Sequence, residues 1–334
     1  MRKLLFLLVT LTALWSGYWF VGSSVIRSAA EDWFTAQAAQ GITAEKTGLT
    51  VAGFPNRFDL TVDGLRLADP ASRIGWQAPF VQVFAITWKP WHIIAALPPE
   101  QVITLPDQEI TLGSQGLRAS LRAGVSTNLP LAMAVIESDS FAARSTEGWS
   151  VGAARSVLSL AQAAGKANAY DIALDVADLA PDPAALQRLV PDGSLPDTLS
   201  VVKLRATATL TAPLDRHAGD TRPRLAAFDL TETLVTWGEV SVTAQGSIAP
   251  DDKGFAAGRI EFTVANWRRI MPLLLAAGVV KPELARTVET MLGNLALQSG
   301  DPEVLKLPLV LTGGWMSIGP LPLGPAPVLL PPTG

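Results

Sequence analysis

The stretch Phe58-Asp59-Leu60-Thr61-Val62-Asp63 alternates strictly between apolar and polar side chains. Successive side chains of a β-strand point to opposite faces of a sheet, so Phe58, Leu60 and Val62 are expected to share one face. A hydrophobic side and a polar side on one short segment are typical of a half-buried strand in an antiparallel sheet. This segment therefore predicts β structure.

The same period of two recurs along the rest of the chain. Val81 and Val83 stand in a second alternating run, and Leu174 and Val176 stand in a third, at Tyr170 to Ala177. Turn-forming glycine, proline and aspartate residues separate the runs at short intervals, which favours antiparallel meanders over βαβ units. We predict a mainly β fold in which an antiparallel, curved sheet is accompanied by a few short helices.

The first part of the chain has a different pattern. After Arg2 and Lys3, the run from Leu4 to Ile26 contains no ionisable side chain. At about 1.5 Å per residue, a helix of this length crosses a hydrocarbon core of about 30 Å. It predicts a transmembrane anchor with its basic end in the cytoplasm. A cleaved signal peptide, ending at Ser28-Ala29-Ala30, is the alternative interpretation.

Aromatic residues are concentrated at the distal end of the anchor and shortly after it. Trp15, Tyr18 and Trp19 are amphipathic rings of the kind that settle at the level of lipid headgroups. Phe54 and Arg57 follow the anchor closely and combine an apolar ring with a long basic side chain. These five residues are candidates for contact with the membrane interface, although a turn followed by an edge strand also explains Phe54 and Arg57.

Changes in composition predict the division of the chain. A transmembrane anchor occupies residues 1–27, a polar helical extension 28–41, an N-terminal β-rich part 42–190, and a C-terminal β-rich part 191–334. The last part contains a hairpin, helices and a proline-rich tail. Proline cannot donate to a sheet ladder, so the tail is not expected inside a sheet.

Composition argues against several functions. The net charge of −4 and the absence of clustered lysine and arginine exclude an electrostatic footprint for nucleic acid. The chain has no cysteine and only two histidines, His92 and His217, and it lacks the common nucleophile, zinc and phosphate-binding motifs. We therefore predict a protein that is not an enzyme, with no catalytic, cofactor-binding or metal-binding residues.

The low content of charged residues has a further implication. Charged residues make up 17% of the chain, against roughly 25% in typical soluble proteins, so some apolar surface is expected to face lipid, a groove or a partner. The alternating runs supply aliphatic residues for such a groove. Its candidate lining residues are Leu60, Val62, Val81, Val83, Leu174 and Val176.

The sequence also resembles known families. The segment Gly53-Phe54-Pro55-Asn56-Arg57 after the anchor resembles the start of AsmA-like envelope proteins, and Gly314-Trp315-Met316-Ser317-Ile318 resembles their closing strand. Over nearly its full length the chain is most similar to an uncharacterised alphaproteobacterial family, domain of unknown function 2125. Trp76, the Trp88 to Ile94 segment and the hairpin from Trp237 to Trp267 carry this similarity.

The resemblance implies a single-pass inner-membrane protein with most of its chain in the periplasm. For AsmA-like relatives it implies a role in envelope homeostasis or in moving lipid through an apolar groove. Our leading hypothesis is a lipid-binding module whose partners are the inner membrane and a phospholipid or other acyl lipid. The alternative is a structural protein that binds other envelope proteins through exposed sheet edges and needs no ligand.

Overall fold

The computed structural model describes residues 1–191, 193–319 and 321–330. Strands account for 51% and helices for 23% of the residues, so the chain is mainly β. A long apolar helix precedes the strands, and the remaining helices are short. The expected fold class is thereby confirmed. The end of the proline-rich tail, Pro331 to Gly334, lies outside the described residues, as do Asp192 and Pro320.

Contacts divide the chain into two units. The N-terminal unit contains Met1–Val125 and Ile136–Gly148, and the C-terminal unit contains Ser126–Val135 and Trp149–Gly334. The sequence placed its boundary between residues 190 and 191. Residues around that boundary form a helix with a side-chain cap at Asp182, which accepts a hydrogen bond from the backbone N–H of Ala185 at 2.7 Å.

Helix α1 (Arg2–Ala39) is continuous through the apolar run and the polar extension. Gly41, with φ of +83°, follows its end and supplies the left-handed conformation that stops helices. The first part of the helix is exposed, whereas Trp19 and Phe34 are buried against the strands of the N-terminal unit.

The N-terminal unit contains an antiparallel sheet built on three long strands. Both β1 and β2 pair with β3, β3 pairs with β4, and β4 pairs with β5 and β6, which both pair with β7. The strands are β1 (Thr43–Glu45), β2 (Gly48–Ala52), β3 (Arg57–Asp69), β4 (Ile74–Ile86), β5 (Lys89–Ala96), β6 (Glu100–Thr104) and β7 (Glu109–Ala123). Strand β8 (Leu131–Ser145) contributes residues to both units.

The C-terminal unit contains an antiparallel meander of nine strands among its described residues. They are β9 (Ser150–Gln162), β10 (Ala169–Leu179), β11 (Leu199–Leu210), β12 (Leu225–Trp237), β13 (Val240–Pro250), β14 (Ala256–Ala265), β15 (Val304–Thr312), β16 (Trp315–Ile318) and β17 (Leu321–Pro325). Each strand pairs with the next. Register shifts at Arg205/Ala206 and Leu230/Leu234 mark β-bulges, which bend a sheet.

Short helices interrupt this meander. They are α2 (Pro183–Leu189), α3 (Ala218–Thr221), α4 (Met271–Ala276) and α5 (Ala285–Gln298), with single 3₁₀ turns at Trp267–Ile270 and Pro282–Leu284. Asn266 precedes the first 3₁₀ turn, but its side chain donates to the carbonyl of Glu239 at 2.7 Å. It joins the turn to the β13 hairpin and makes no side-chain cap.

Candidate functional site

The two faces of the C-terminal sheet differ sharply in polarity. Residues directly opposite each other on antiparallel strands share a face, so the register allows a row to be followed from strand to strand. One row, here called the apolar row, runs from β9 to β16 through Leu160, Ile172, Ala206, Leu230, Gly246, Ile260, Leu309 and Ile318. Every member is apolar.

The neighbouring row lies on the opposite face. This row, called the polar row because six of its eight members are polar or charged, runs through Ala161, Asp171, Thr207, Asp229, Ser247, Arg259, Val310 and Ser317. Thr207 donates to the Asp171 carboxylate at 2.7 Å, and Arg205 on the same face forms a bidentate pair with Asp175 at 2.8 Å. The sheet therefore has one polar face and one face whose apolar row contains no ionisable side chain.

The ends of the apolar face are covered. At one end Trp267, Met271 and Leu292, from the 3₁₀ turn, α4 and α5, form a core with Leu305 of β15. Leu186 of α2 packs in a second core with Val240 of β13. At the other end, Ala326 and Leu329 beyond β17 pack with Ala256 and Leu311. Helices and tail thus close two regions of the face.

The middle of the apolar face is less covered. Ala206, Leu230 and Ala244 are buried and are surrounded by the partly exposed side chains of Leu204, Phe228, Ile260 and Phe262. Leu158 of β9 is 43% exposed. Small buried residues flanked by larger, partly exposed apolar ones form a surface suited to an apolar ligand. This surface is the candidate ligand site.

Leu174 and Val176, which the sequence suggested as groove lining, lie on this face. Leu174 stands opposite Leu158 and Leu204, and Val176 stands opposite Val202. Both side chains are partly exposed. The sequence missed Phe228 and Phe262, whose place on the same face follows from strand register.

The other four suggested lining residues lie together in the N-terminal unit. Leu60 stands opposite Val83 and Val62 stands opposite Val81, so all four share one face. Leu60, Val62 and Val81 pack in one core with Phe34 of α1. The helix covers that part of the sheet, and these residues act in the domain core. Val83 lies on the same face beside that core and, like Leu60 and Val81, is partly exposed.

The five residues suggested for the membrane interface are brought together at one place. The Trp15 indole N–H donates to the carbonyl of Pro55 at 3.0 Å, and the Trp19 indole N–H donates to the carbonyl of Arg57 at 2.7 Å. The Tyr18 hydroxyl donates to the carbonyl of Thr87 at 2.8 Å. The helix is thus fastened to two loops of the N-terminal unit by three hydrogen bonds.

Ring contacts accompany these hydrogen bonds. Trp19 stacks on Phe58 with ring centroids 6.1 Å apart and meets the edge of Phe54 at 5.4 Å. Trp15 lies 6.5 Å from Trp88. We call this group of Trp15, Tyr18, Trp19, Phe54, Phe58 and Trp88 the aromatic joint. The sequence did not identify Thr87 and Trp88 as part of it.

Gly22 completes the helix side of the joint. A Cβ atom at Gly22 would lie 2.6 Å from Cζ of Phe58, so only glycine permits this approach. Residues 15, 18, 19 and 22 follow the spacing of one helix face. That spacing is the signal in the sequence by which docking of the helix could have been anticipated.

A separate recess of about 650 Å³ lies in the N-terminal unit. Its lining includes Glu45, Lys46, Arg66 and Glu100, which carry charges of both signs. Lys46 pairs with Glu31 of α1 at 2.6 Å, and Arg66 lies 3.8 Å from Glu45. These charges are largely engaged with one another, so the recess is a weaker candidate than the apolar face.

The two histidines have different surroundings. His92 Nε2 lies 3.0 Å from Ser120 Oγ in a cross-strand hydrogen bond between β5 and β7. His217 is exposed and precedes the single turn of α3. Within the described residues, no group of three or more His, Asp or Glu side chains has the arrangement of a metal site.

Among the described residues, α1 is the one helix that is long and apolar enough to cross a membrane. Comparisons with curated proteins and with solved structures found no match. A family model described as an uncharacterized protein conserved in bacteria, domain of unknown function 2125, matches residues 19–327. This match begins within α1 and covers both units, and the chain therefore belongs to that bacterial family.

Proposed function

We propose that this chain is a membrane-anchored, β-rich protein of the bacterial envelope that binds the acyl chains of lipid on the apolar face of its C-terminal unit. The observation that supports this most directly is the apolar row. It crosses eight strands without a polar side chain, and the middle of its face is left partly exposed. The proposal includes no catalysis.

The dimensions of the face suit an acyl chain. Leu309 of β15 packs with the tail, and neighbouring strands lie about 4.8 Å apart, so the five steps of the row from β9 to β14 extend over roughly 24 Å. One leaflet of a bilayer contributes about half of the 30 Å hydrocarbon core. A single acyl chain therefore fits along the row with room to spare, and its burial is favoured at about 25 cal/mol for each Å² of apolar surface removed from water.

The docking of α1 supports a retained anchor over a cleaved signal peptide. Trp19 is only 6% exposed and donates a short hydrogen bond to the Arg57 carbonyl. Cleavage after Ala30 would remove this side chain and expose Phe58, which is otherwise buried. A segment that completes the packing of the N-terminal unit is better explained as a permanent part of the protein.

The orientation follows from charge at the helix ends. Arg2 and Lys3 precede the apolar run, and basic residues of short flanking segments remain in the cytoplasm. This orientation places the bulk of the chain in the periplasm, with the anchor in the inner membrane. The resemblance to AsmA-like proteins implies the same location and a role in envelope homeostasis or in moving lipid, and the second of these is consistent with the proposed ligand class.

The lipid proposal is tested by replacing one residue on each face of β10. Val176→Asp places a carboxylate on the apolar face, whereas Ala177→Asp places one on the neighbouring exposed position of the other face. The full chain is purified in detergent, extracted with organic solvent and examined by mass spectrometry. It is also exposed to a phosphatidylethanolamine that carries a photoactivatable group on its acyl chain.

We expect the parent chain and Ala177→Asp to retain lipid and to cross-link to the probe, because the apolar face is intact. Val176→Asp is expected to fold and to lose both signals, since a carboxylate costs several kcal/mol when it is stripped of water by an acyl chain. Equal lipid content in the two folded variants, or a parent chain without lipid, would reject the proposal and favour the alternative of protein binding through sheet edges.

A further inference from the structure

The loops that α1 contacts form the tip of the N-terminal unit. This tip consists of Gly53–Arg57, the loop after β2 with the first residue of β3, and Thr87–Lys89, the turn after β4 with the first residue of β5. Three side chains of α1 donate hydrogen bonds to its carbonyls. The tip is consequently fixed beside the residues between Trp15 and Gly22, and its depth relative to a bilayer is set by the depth of those residues.

The length of the helix determines that depth. Crossing the hydrocarbon core requires about 20 helical residues, which from Leu4 extend to Ser23. The undocked part of the apolar run, Leu4 to Leu14, contains 11 residues and spans only about 17 Å of the roughly 30 Å needed. The remaining length is supplied by the docked residues themselves, so the tip must lie beside the helix within the hydrocarbon and headgroup region.

From this geometry we infer that the tip of the N-terminal unit is inserted into the bilayer leaflet at the end of the spanning helix, and that bilayer lipid is the partner of its exposed aromatic surface. The inference rests on the membrane anchoring proposed above. It does not depend on lipid binding by the C-terminal unit.

Several backbone carbonyls of the tip already accept hydrogen bonds from protein groups, as a bilayer environment requires. Loops at membrane depth are tolerated where protein groups satisfy their polar atoms. The carbonyls of Pro55, Arg57 and Thr87 accept from Trp15, Trp19 and Tyr18, as described above. The Asn56 carbonyl accepts from both the backbone N–H and the hydroxyl of Thr87, each at 3.1 Å.

The exposed side chains of the tip match the same environment. Phe54 and Trp88 are each 52% exposed, and Phe20 of α1, which stacks on Phe54 with centroids 5.8 Å apart, is exposed beside them. Arg57 and Lys89 are also exposed. Long basic side chains can direct their charges to headgroups while aromatic rings remain in the interface. The Asp59 carboxylate, 2.6 Å from Arg57, offsets part of this charge.

The absence of cysteine from the sequence allows a direct measurement of depth. Single cysteines are introduced at Phe54, Trp88 and Lys89 in the full chain, with Leu8 as a reference in the spanning helix and Lys253 as a reference on an exposed turn of the C-terminal unit. Each variant is spin-labelled and placed in vesicles of phosphatidylethanolamine and phosphatidylglycerol. Collision rates with oxygen and with a nickel chelate then report depth. Near-UV circular dichroism confirms that each variant retains its fold.

We expect labels at residues 54 and 88 to show an oxygen-to-nickel collision ratio several-fold above that at residue 253 and close to that at residue 8. The label at residue 89, whose exposed side chain lies outside the aromatic joint, is expected to fall between the two references. Labels at 54, 88 and 89 that match residue 253 while residue 8 reports hydrocarbon would overturn insertion of the tip and leave anchoring intact. An aqueous signal at residue 8 as well would overturn the anchoring on which the inference rests.

Discussion

The contact between Gly22 and Phe58 can be tested with a pair of matched substitutions. Gly17 and Gly22 both lie within α1, and both become alanine in the test. A Cβ at Gly22 would lie 2.6 Å from Cζ and 3.1 Å from Cε1 of Phe58, inside the 3.4 Å at which ordinary van der Waals contact begins. A Cβ at Gly17 meets no atom within 4 Å.

The expected magnitudes follow from these distances. Alanine is favoured over glycine by about 1 kcal/mol in a helix, and this gain is common to both variants. At Gly22 the added methyl must displace a ring that is 5% exposed, and overpacking of this kind costs about 1–3 kcal/mol. The Gly22→Ala variant should therefore be less stable than Gly17→Ala by about 1–3 kcal/mol.

Thermal unfolding in detergent micelles, followed by near-UV circular dichroism, measures this difference. The signal is suitable because Trp15, Trp19 and Trp88 lie in the aromatic joint and should lose their fixed surroundings when the helix separates. We expect Gly22→Ala to unfold at a lower temperature than Gly17→Ala. Equal midpoints for the two variants would refute the reasoning, because they would show that α1 does not press against Phe58.

Two further predictions concern a pair of tryptophans, Trp267 and Trp315, and the two histidines. Trp267 is 2% exposed and donates to the Pro302 carbonyl at 3.1 Å, so Trp267→Ala should lower the free energy of unfolding by about 3–5 kcal/mol. Trp315 is 63% exposed, and Trp315→Ala should change the free energy of unfolding by no more than about 0.5 kcal/mol. A denaturant titration of both variants measures the two values, and equal losses would contradict the assigned core. A double variant, His92→Ala with His217→Ala, should fold and keep the lipid content of the parent chain, because neither residue lies on the apolar face. A folded double variant that lacks lipid in the extraction assay would show that the histidines participate in binding.

Much of the fold could be predicted because the deciding information is local. Alternation at Phe58 to Asp63 and at Tyr170 to Ala177 identifies strands and their apolar sides, and both segments lie in long strands. Helix α1 ends at Ala39, within two residues of the end that the composition gave for the polar extension. Proline at Pro322 and Pro325 is accommodated in β17, which pairs with β16 on one side.

The neighbours of each apolar face could not be predicted from alternation. The pattern shows that Leu60 and Val62 share a face but says nothing about what packs there, and the structure places Phe34 of α1 against them. Leu174 and Val176 have the same pattern, yet they lie on a face that remains partly exposed. The difference depends on tertiary contacts between residues distant in sequence.

The contacts of the aromatic joint also could not be predicted from the local sequence. Trp15, Tyr18 and Trp19 suggest an interface by their chemistry, and that chemistry fits lipid headgroups and a protein loop equally well. Their partners are backbone carbonyls of Pro55, Arg57 and Thr87. A carbonyl acceptor has no signature in the sequence, because every residue carries one.

The unbroken course of α1 has a mechanical consequence. In the membrane anchoring proposed above, a helix that continues from the apolar run to Ala39 and is bonded to the N-terminal unit at Trp15, Tyr18 and Trp19 would leave that unit no flexible joint at the membrane. The N-terminal unit would therefore change its orientation whenever the tilt of the helix changes. Spanning helices tilt further in thinner bilayers. The orientation of this unit relative to the membrane plane would therefore depend on local bilayer thickness.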